Sequence, residues 1–291
     1  MIRAIVKQSA RILCYGNEVQ ANDMTTLARL FDSYCNALYR RSLLVAGFFH
    51  RHMGMIVAAW LGFTLLAGTI RFAIMDTPVY SLFDAMPVLV GYGAVILAPL
   101  AGYAITRSAF WPESAHKPLD FHLSFVGKWR KVDPAEARSM ELFGPAGFLA
   151  SLLIGLMLNV VVRTGEYFVA IPALSLQAPD WSLALFAVMT ADLVVMNFFY
   201  MVAFVMALRN VPLFPRMLLF AWLMDILMQL VIAHRMAGVD GLPAEVVAPL
   251  VQLLQGNLTK VLISVAVWMP YIILSQRVNL TYRSRVPVPA S

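Results

Sequence analysis

Residues 183–208 read LALFAVMTADLVVMNFFYMVAFVMAL, an unbroken apolar run whose one charged side chain is Asp192. A helix needs about 20 apolar residues to cross the hydrocarbon core of a bilayer, so this run is long enough to span, and it carries a carboxylate where lipid would penalise one. Outward from it, five more runs of spanning length lie at residues 53–75, 86–105, 143–162, 215–233 and 258–274. The expected fold is all-α: a polytopic transmembrane helical bundle with six predicted spans, plus amphipathic cytoplasmic N-terminal helices.

Composition agrees. Hydrophobic residues make up 60% of the 291 positions and charged residues 13%, too little polar surface to cover a soluble globule. The net charge of +6 is distributed by membrane side and is not gathered into one groove-tracking patch, which excludes nucleic acid as the partner. Cys14 and Cys35 precede the first span with no CxxC motif around them, so they read as free thiols.

Charge sets the orientation. Arg3, Lys7, Arg11, Arg29, Arg40, Arg41 and Arg51 precede the first span, and Arg107, Lys117, Lys128, Arg130, Lys131 and Arg138 follow the second. Arg209 and Arg216 lie between the fourth and fifth, and Arg277, Arg283 and Arg285 follow the sixth. The alternate gaps hold Asp76, Asp84, Glu166, Asp180, Asp240 and Glu245, with Arg163 and Arg235 as exceptions near span ends. Basic loops face the cytoplasm. The expected location is therefore the bacterial inner membrane, with both termini inside and Trp181 in an interfacial belt.

Five regions follow: a cytoplasmic amphipathic region at 1–52, a two-helix hairpin at 53–105, a cytoplasmic linker at 106–142, a four-helix domain at 143–285 and a tail at 286–291. Arg3, Lys7 and Arg11 recur on one face of an N-terminal helix, which reads as a contact with the anionic leaflet, as a helix packed on the protein's own cytoplasmic face, or as a transit peptide. Gly54, Ala58 and Gly62, and likewise Ala94, Ala98 and Gly102, set small residues four apart. Such stripes let helix backbones approach without naming a partner or an oligomer. Pro243 to Leu254 is expected to form a short interfacial helix ended by Gly256 and Asn257.

Residues 144–285 resemble the DUF2569 family of bacterial inner-membrane proteins. The resemblance is carried by Phe214-Pro215-Arg216 and by the run Trp268-Met269-Pro270-Tyr271-Ile272-Ile273-Leu274-Ser275-Gln276-Arg277-Val278. Asn279 and Tyr282 depart from that family's usual ending. The resemblance implies a membrane location and a four-helix unit, and it transfers no catalytic residue.

Asp192 and Asp225 carry the chemistry, because a carboxylate at mid-bilayer depth costs roughly 2.5–3.5 kcal/mol on insertion scales. The expectation is that both sit about 15 Å below the outer surface, counted at the helical rise. Trp222, Asp225 and Gln229 share one helical face; Asn159, Arg163 and Glu166 share another; Lys260, Ser264 and Trp268 share a third. A shared proton and a salt bridge to Arg163 or Lys260 are both open. So are a proton or substrate relay and a register-fixing network in which Asn159, Asn197 and Gln229 bond across helices.

No HExxH, GxSxG or P-loop occurs, and the histidines avoid span interiors, so neither a catalytic motif nor a cofactor is implied and no metal is expected at Glu113, His116, Asp120 and His122. The function expected from these features is a non-enzymatic accessory or scaffold subunit working with the bilayer and a membrane-protein partner. The alternatives are a small proton-coupled transporter or channel using the intramembrane carboxylates, and a membrane-embedded lipid-modifying enzyme.

Overall fold

A computed structural model of the chain describes residues 39, 41–110 and 128–288. Among the described residues the fold is all-α, 77% helical, with six helices long and apolar enough to cross a membrane. They are α1 (Arg41–Ala73), α2 (Met86–Ala109), α4 (Phe148–Ala170), α5 (Asp180–Leu208), α6 (Phe214–Ala237) and α7 (Ala244–Leu274). Two short helices, α3 (Pro134–Ser139) and α8 (Gln276–Arg283), and two three-residue strands, β1 (Trp129–Lys131) and β2 (Arg285–Pro287), complete the described chain. Arg3, Lys7 and Arg11, expected on one face of an N-terminal helix, and the Glu113 to His122 group lie outside the described residues.

The spans run longer than the hydropathy alone predicts. α1 continues back to Arg41 because Leu43, Leu44, Val45 and Phe48 extend its apolar run and Phe49 packs edge-on to Phe204, ring centres 5.0 Å apart. α4 starts at Phe148, five residues after the expected position, since Gly144 and Gly147 take φ of 100° and 64°, which only glycine adopts freely. It then runs on through Arg163 and Glu166 to Ala170. α7 is one helix through Gly256 and Asn257, so the expected interfacial helix with its own end is absent. Apolar packing of Leu250, Leu254 and Val261 outweighs the roughly 1 kcal/mol that a helical glycine costs.

α5 is the centre of the bundle, packed against α2, α4 and α6, while α7 lies outside α6. Gly102 of α2 is where the closest approach occurs: a Cβ built there would lie 2.7 Å from the Phe198 carbonyl of α5. The equivalent stripe on α1 is open around Gly54 and Gly62. Trp60 ties α1 to α2 by donating its indole N–H to the Ile96 carbonyl at 3.1 Å.

Two end structures close the bundle. At the base, β1 and β2 pair antiparallel, so the region after α2 and the C-terminal tail are joined. Val132, Ala137 and Leu280 form a small core beneath them. Tyr282 donates to the Ala207 carbonyl at 2.9 Å, and Arg209 donates to the carbonyls of Arg107 and Phe110 at 2.8 and 3.0 Å. At the opposite end, the crown, Asp84 accepts from the backbone N–H of Tyr80 and Ser81 and from Gln177, at 3.1, 3.0 and 3.2 Å. Leu176 N–H donates to the Asp84 carbonyl at 2.9 Å, latching the α1–α2 loop to the α4–α5 loop.

The bond from Gln177, and then the two backbone N–H groups, hold the Asp84 carboxyl below the usual carboxylate value against the opposing effect of burial. A depressed folded value means the latch is intact above the unfolded value of about 3.9 and is lost as pH falls through the lower folded one. Hydrogen-exchange protection factors of the Tyr80, Ser81 and Leu176 amides should therefore fall below about pH 4, and Asp84→Asn should remove that dependence. Packing makes a second expectation. Gly102→Ala should lower the stability of the detergent-solubilised protein by about 1–3 kcal/mol, read from its unfolding midpoint, whereas Gly54→Ala should stay within about 0.5 kcal/mol.

Candidate functional site

A layer of polar side chains divides the apolar interior. On its base side lies a cluster including Val160, Met196, Trp222 and Val261; on its crown side lies one including Tyr167, Leu193, Ile232 and Leu254. Between them, helical periodicity brings together Arg163 of α4, Asp192 of α5, Asp225 and Gln229 of α6 and Asn257 of α7.

Arg163 is the hub. Its Nη1 donates to both oxygens of Asp225 at 2.9 and 2.8 Å, and its Nη2 donates to Asp192 Oδ2 at 2.7 Å. These are the lengths of strong charge-assisted bonds. The side chains of Arg163, Asp192 and Asp225 retain 12%, 4% and 1% of their exposure, respectively, so all three charges are taken out of solvent together. Tyr200 donates its hydroxyl to Asp225 Oδ2 at 2.7 Å. Gln229 Nε2 reaches one oxygen of each carboxylate at 3.4 Å, and Asn257 reaches Gln229 Oε1 at 3.4 Å; these contacts are longer and weaker.

Two cavities meet at this hub. A large one of about 290 Å³ lies between α4 and α7 and is lined by Asn159, Arg163, Tyr200, Trp222, Asp225, Lys260 and Ser264 among others. A small one of about 30 Å³ lies toward the crown against Arg163, Tyr167, Asp192 and Asn257. Asp225 faces the first and Asp192 the second; Arg163 borders both. A third cavity of about 390 Å³ between α1, α2 and α4 is walled by apolar and aromatic side chains such as Met53, Trp60, Phe63 and Leu100.

The other anticipated residues fall around the hub. Lys260 pairs with Glu166 at 2.6 Å on the rim of the large cavity, both partly exposed. Ser264 donates to the Lys260 carbonyl of its own helix at 2.9 Å. Asn159 lines the large cavity without joining the ionic bridge. Asn197 is buried and donates to Thr164 Oγ1 at 2.8 Å, leaving its own Oδ1 with no protein partner. Arg163 is a helix-interior residue, not one near a span end as its sequence position implies.

Two participants were not singled out from the sequence. Tyr200 follows Asp192 by eight residues and Asn197 by three, which puts it on their face of α5. Asn257 precedes Lys260 by three and Ser264 by seven, on the stripe that becomes visible once α7 is read as continuous. Both spacings were available; the tyrosine lacked a charge to draw attention, and the asparagine sat in an expected helix end.

Fold and site together define a polytopic helical bundle of membrane-spanning type with a buried three-residue ionic bridge. Comparison of the chain with protein-family models, with curated proteins and with solved structures finds no match in any of them.

Removing only the guanidinium strands two buried carboxylates, and breaking a buried pair in this way costs about 3–5 kcal/mol. Arg163→Met should accordingly abolish or sharply reduce the yield of monodisperse protein. The triple variant Arg163→Met, Asp192→Asn, Asp225→Asn should recover it, because no charge remains to be paired. Size-exclusion profiles of the two variants, side by side with the parent, check both outcomes.

Proposed function

We propose that this chain is a small proton-coupled transporter of the bacterial inner membrane, with base and termini in the cytoplasm, and that Asp192 and Asp225 are its alternating proton sites. The observation that carries this reading is the position of Arg163 between two carboxylates that face different cavities. The sidedness rests on the basic residues around the base and the rule that such loops stay inside. The relation of residues 144–285 to the DUF2569 family belongs to the same proposal.

The chemistry is an exchange of partners. With both carboxyls ionised, one guanidinium balances two negative charges and the bridge carries −1. A proton arriving at either carboxyl neutralises that partner and leaves Arg163 to the other. Arg163 is thereby a two-position element whose bias depends on which carboxyl is protonated, the kind of bistable contact on which alternating access depends. Tyr200, bonded to Asp225, restricts which orientations that carboxyl can take.

An accessory subunit is the second reading, favoured by the apolar face of α1, where Leu44, Leu65, Leu66 and Ile70 are more than half exposed among the described residues. One experiment separates the two. In proteoliposomes enclosing a pH-sensitive dye, an imposed proton gradient should dissipate measurably faster than in protein-free vesicles, as for an acid pathway through the membrane. Asp192→Asn and Asp225→Asn should each return the rate to the protein-free value while retaining the parent's monodisperse elution profile. A parent indistinguishable from protein-free vesicles would overturn the transporter reading and leave the accessory one.

A further inference from the structure

We propose that the large cavity receives an amphiphilic organic cation, taken from the bilayer through the gap between α4 and α7. This inference rests on the transporter reading and names its substrate class.

The route is sideways. At the base, Phe148 of α4 closes on Trp268 and Tyr271 of α7, with ring centres 4.7 and 4.9 Å apart. Nearer the crown, the Lys260–Glu166 pair joins the same two helices. Between these two closures the wall is open. Gly155 has nothing within 4 Å of where a Cβ would stand, and Leu158 and Val162 are 56% and 46% exposed at the rim. In a spanning helix that rim meets hydrocarbon, so a ligand reaching the cavity this way must be able to leave an apolar tail among lipid chains.

The polar end is selected by charge. Arg163 and Lys260 contribute two positive charges around the cavity; Glu166, Asp225 and Asp192 behind the guanidinium contribute three negative ones. The groups lining the cavity balance, and with both aspartates ionised Asp192, on the far side of Arg163, leaves cavity and bridge together with one negative charge in excess. Tyr200, Trp222 and Trp268 present aromatic surface to the same space, and aromatic faces attract cations held over them. A monovalent ammonium group satisfies both features, and an anion satisfies neither. It would also displace the proton's role at Asp225, since either species offsets the same negative charge; that links ligand and proton in exchange.

Hexyltrimethylammonium is a suitable probe, titrated calorimetrically into the purified full-length protein in a neutral detergent. It should bind at one saturable site, about tenfold or more tighter than tetramethylammonium because the tail adds buried methylenes, and hexanesulfonate should show no saturable binding. Gly155→Trp fills the rim from a position with open space around it and should weaken hexyltrimethylammonium by about tenfold or more, the scale of losing those tail contacts, with an unchanged unfolding midpoint. Asp225→Asn should weaken it as well. Equal binding of the sulfonate, no saturable cation binding, or full binding in Gly155→Trp would each overturn the proposal. Proton flux without cation binding would remove this substrate class and leave the transporter reading in place. Cation binding without proton flux would uphold the site and remove the coupling.

Discussion

The bridge from Arg163 to Asp192 and Asp225 is the constraint around which the bundle is arranged. Lipid solvates no charge, so three ionisable side chains from three helices must satisfy one another within the protein. That requirement fixes the rotation of α4, α5 and α6 about their axes: a helix turned by one residue, about 100°, would carry its charge away from the others. Apolar packing alone gives weaker instructions, because Leu, Val and Phe side chains are as soluble in lipid as in a helix interface.

Placing the bridge between two apolar clusters has a second effect. The base cluster holds Phe204, Phe214 and Tyr282, and the crown cluster holds Tyr92, Phe168 and Phe186. Two voids border the polar layer, where Arg163 has Asp225 with the large cavity on one side and Asp192 with the small one on the other, while the apolar cavity beside α1 stands apart from it. A charged layer cannot be packed as closely as hydrocarbon without leaving lone pairs unsatisfied, and Asn197 Oδ1 is such a case.

The spans and the converging polar faces were legible in the sequence because both depend on local periodicity. Spacings of three, four and seven residues placed Asn159 with Arg163, and Asp225 with Gln229, on shared faces before any tertiary contact was known. What was illegible depended on partners distant in the chain. Arg163 looked like a residue near a span end because a charge normally ends a hydrophobic run; its two carboxylates lie 29 and 62 residues further on. Gly256 and Asn257 looked like a stop because nothing nearby shows that α7 is held on both sides of them. The β1–β2 pairing joins segments more than 150 residues apart, beyond the reach of any periodic signal.

A double-mutant cycle in bicelles measures the energetic coupling between Arg163 and Asp225 that the bridge requires. Unfolding free energies of the parent, Arg163→Gln, Asp225→Asn and the double variant give the coupling. The bridge predicts that the two single losses exceed the double loss by on the order of 1.5–3 kcal/mol, the range for hydrogen bonds to charged groups. Losses that add within about 0.5 kcal/mol would contradict it.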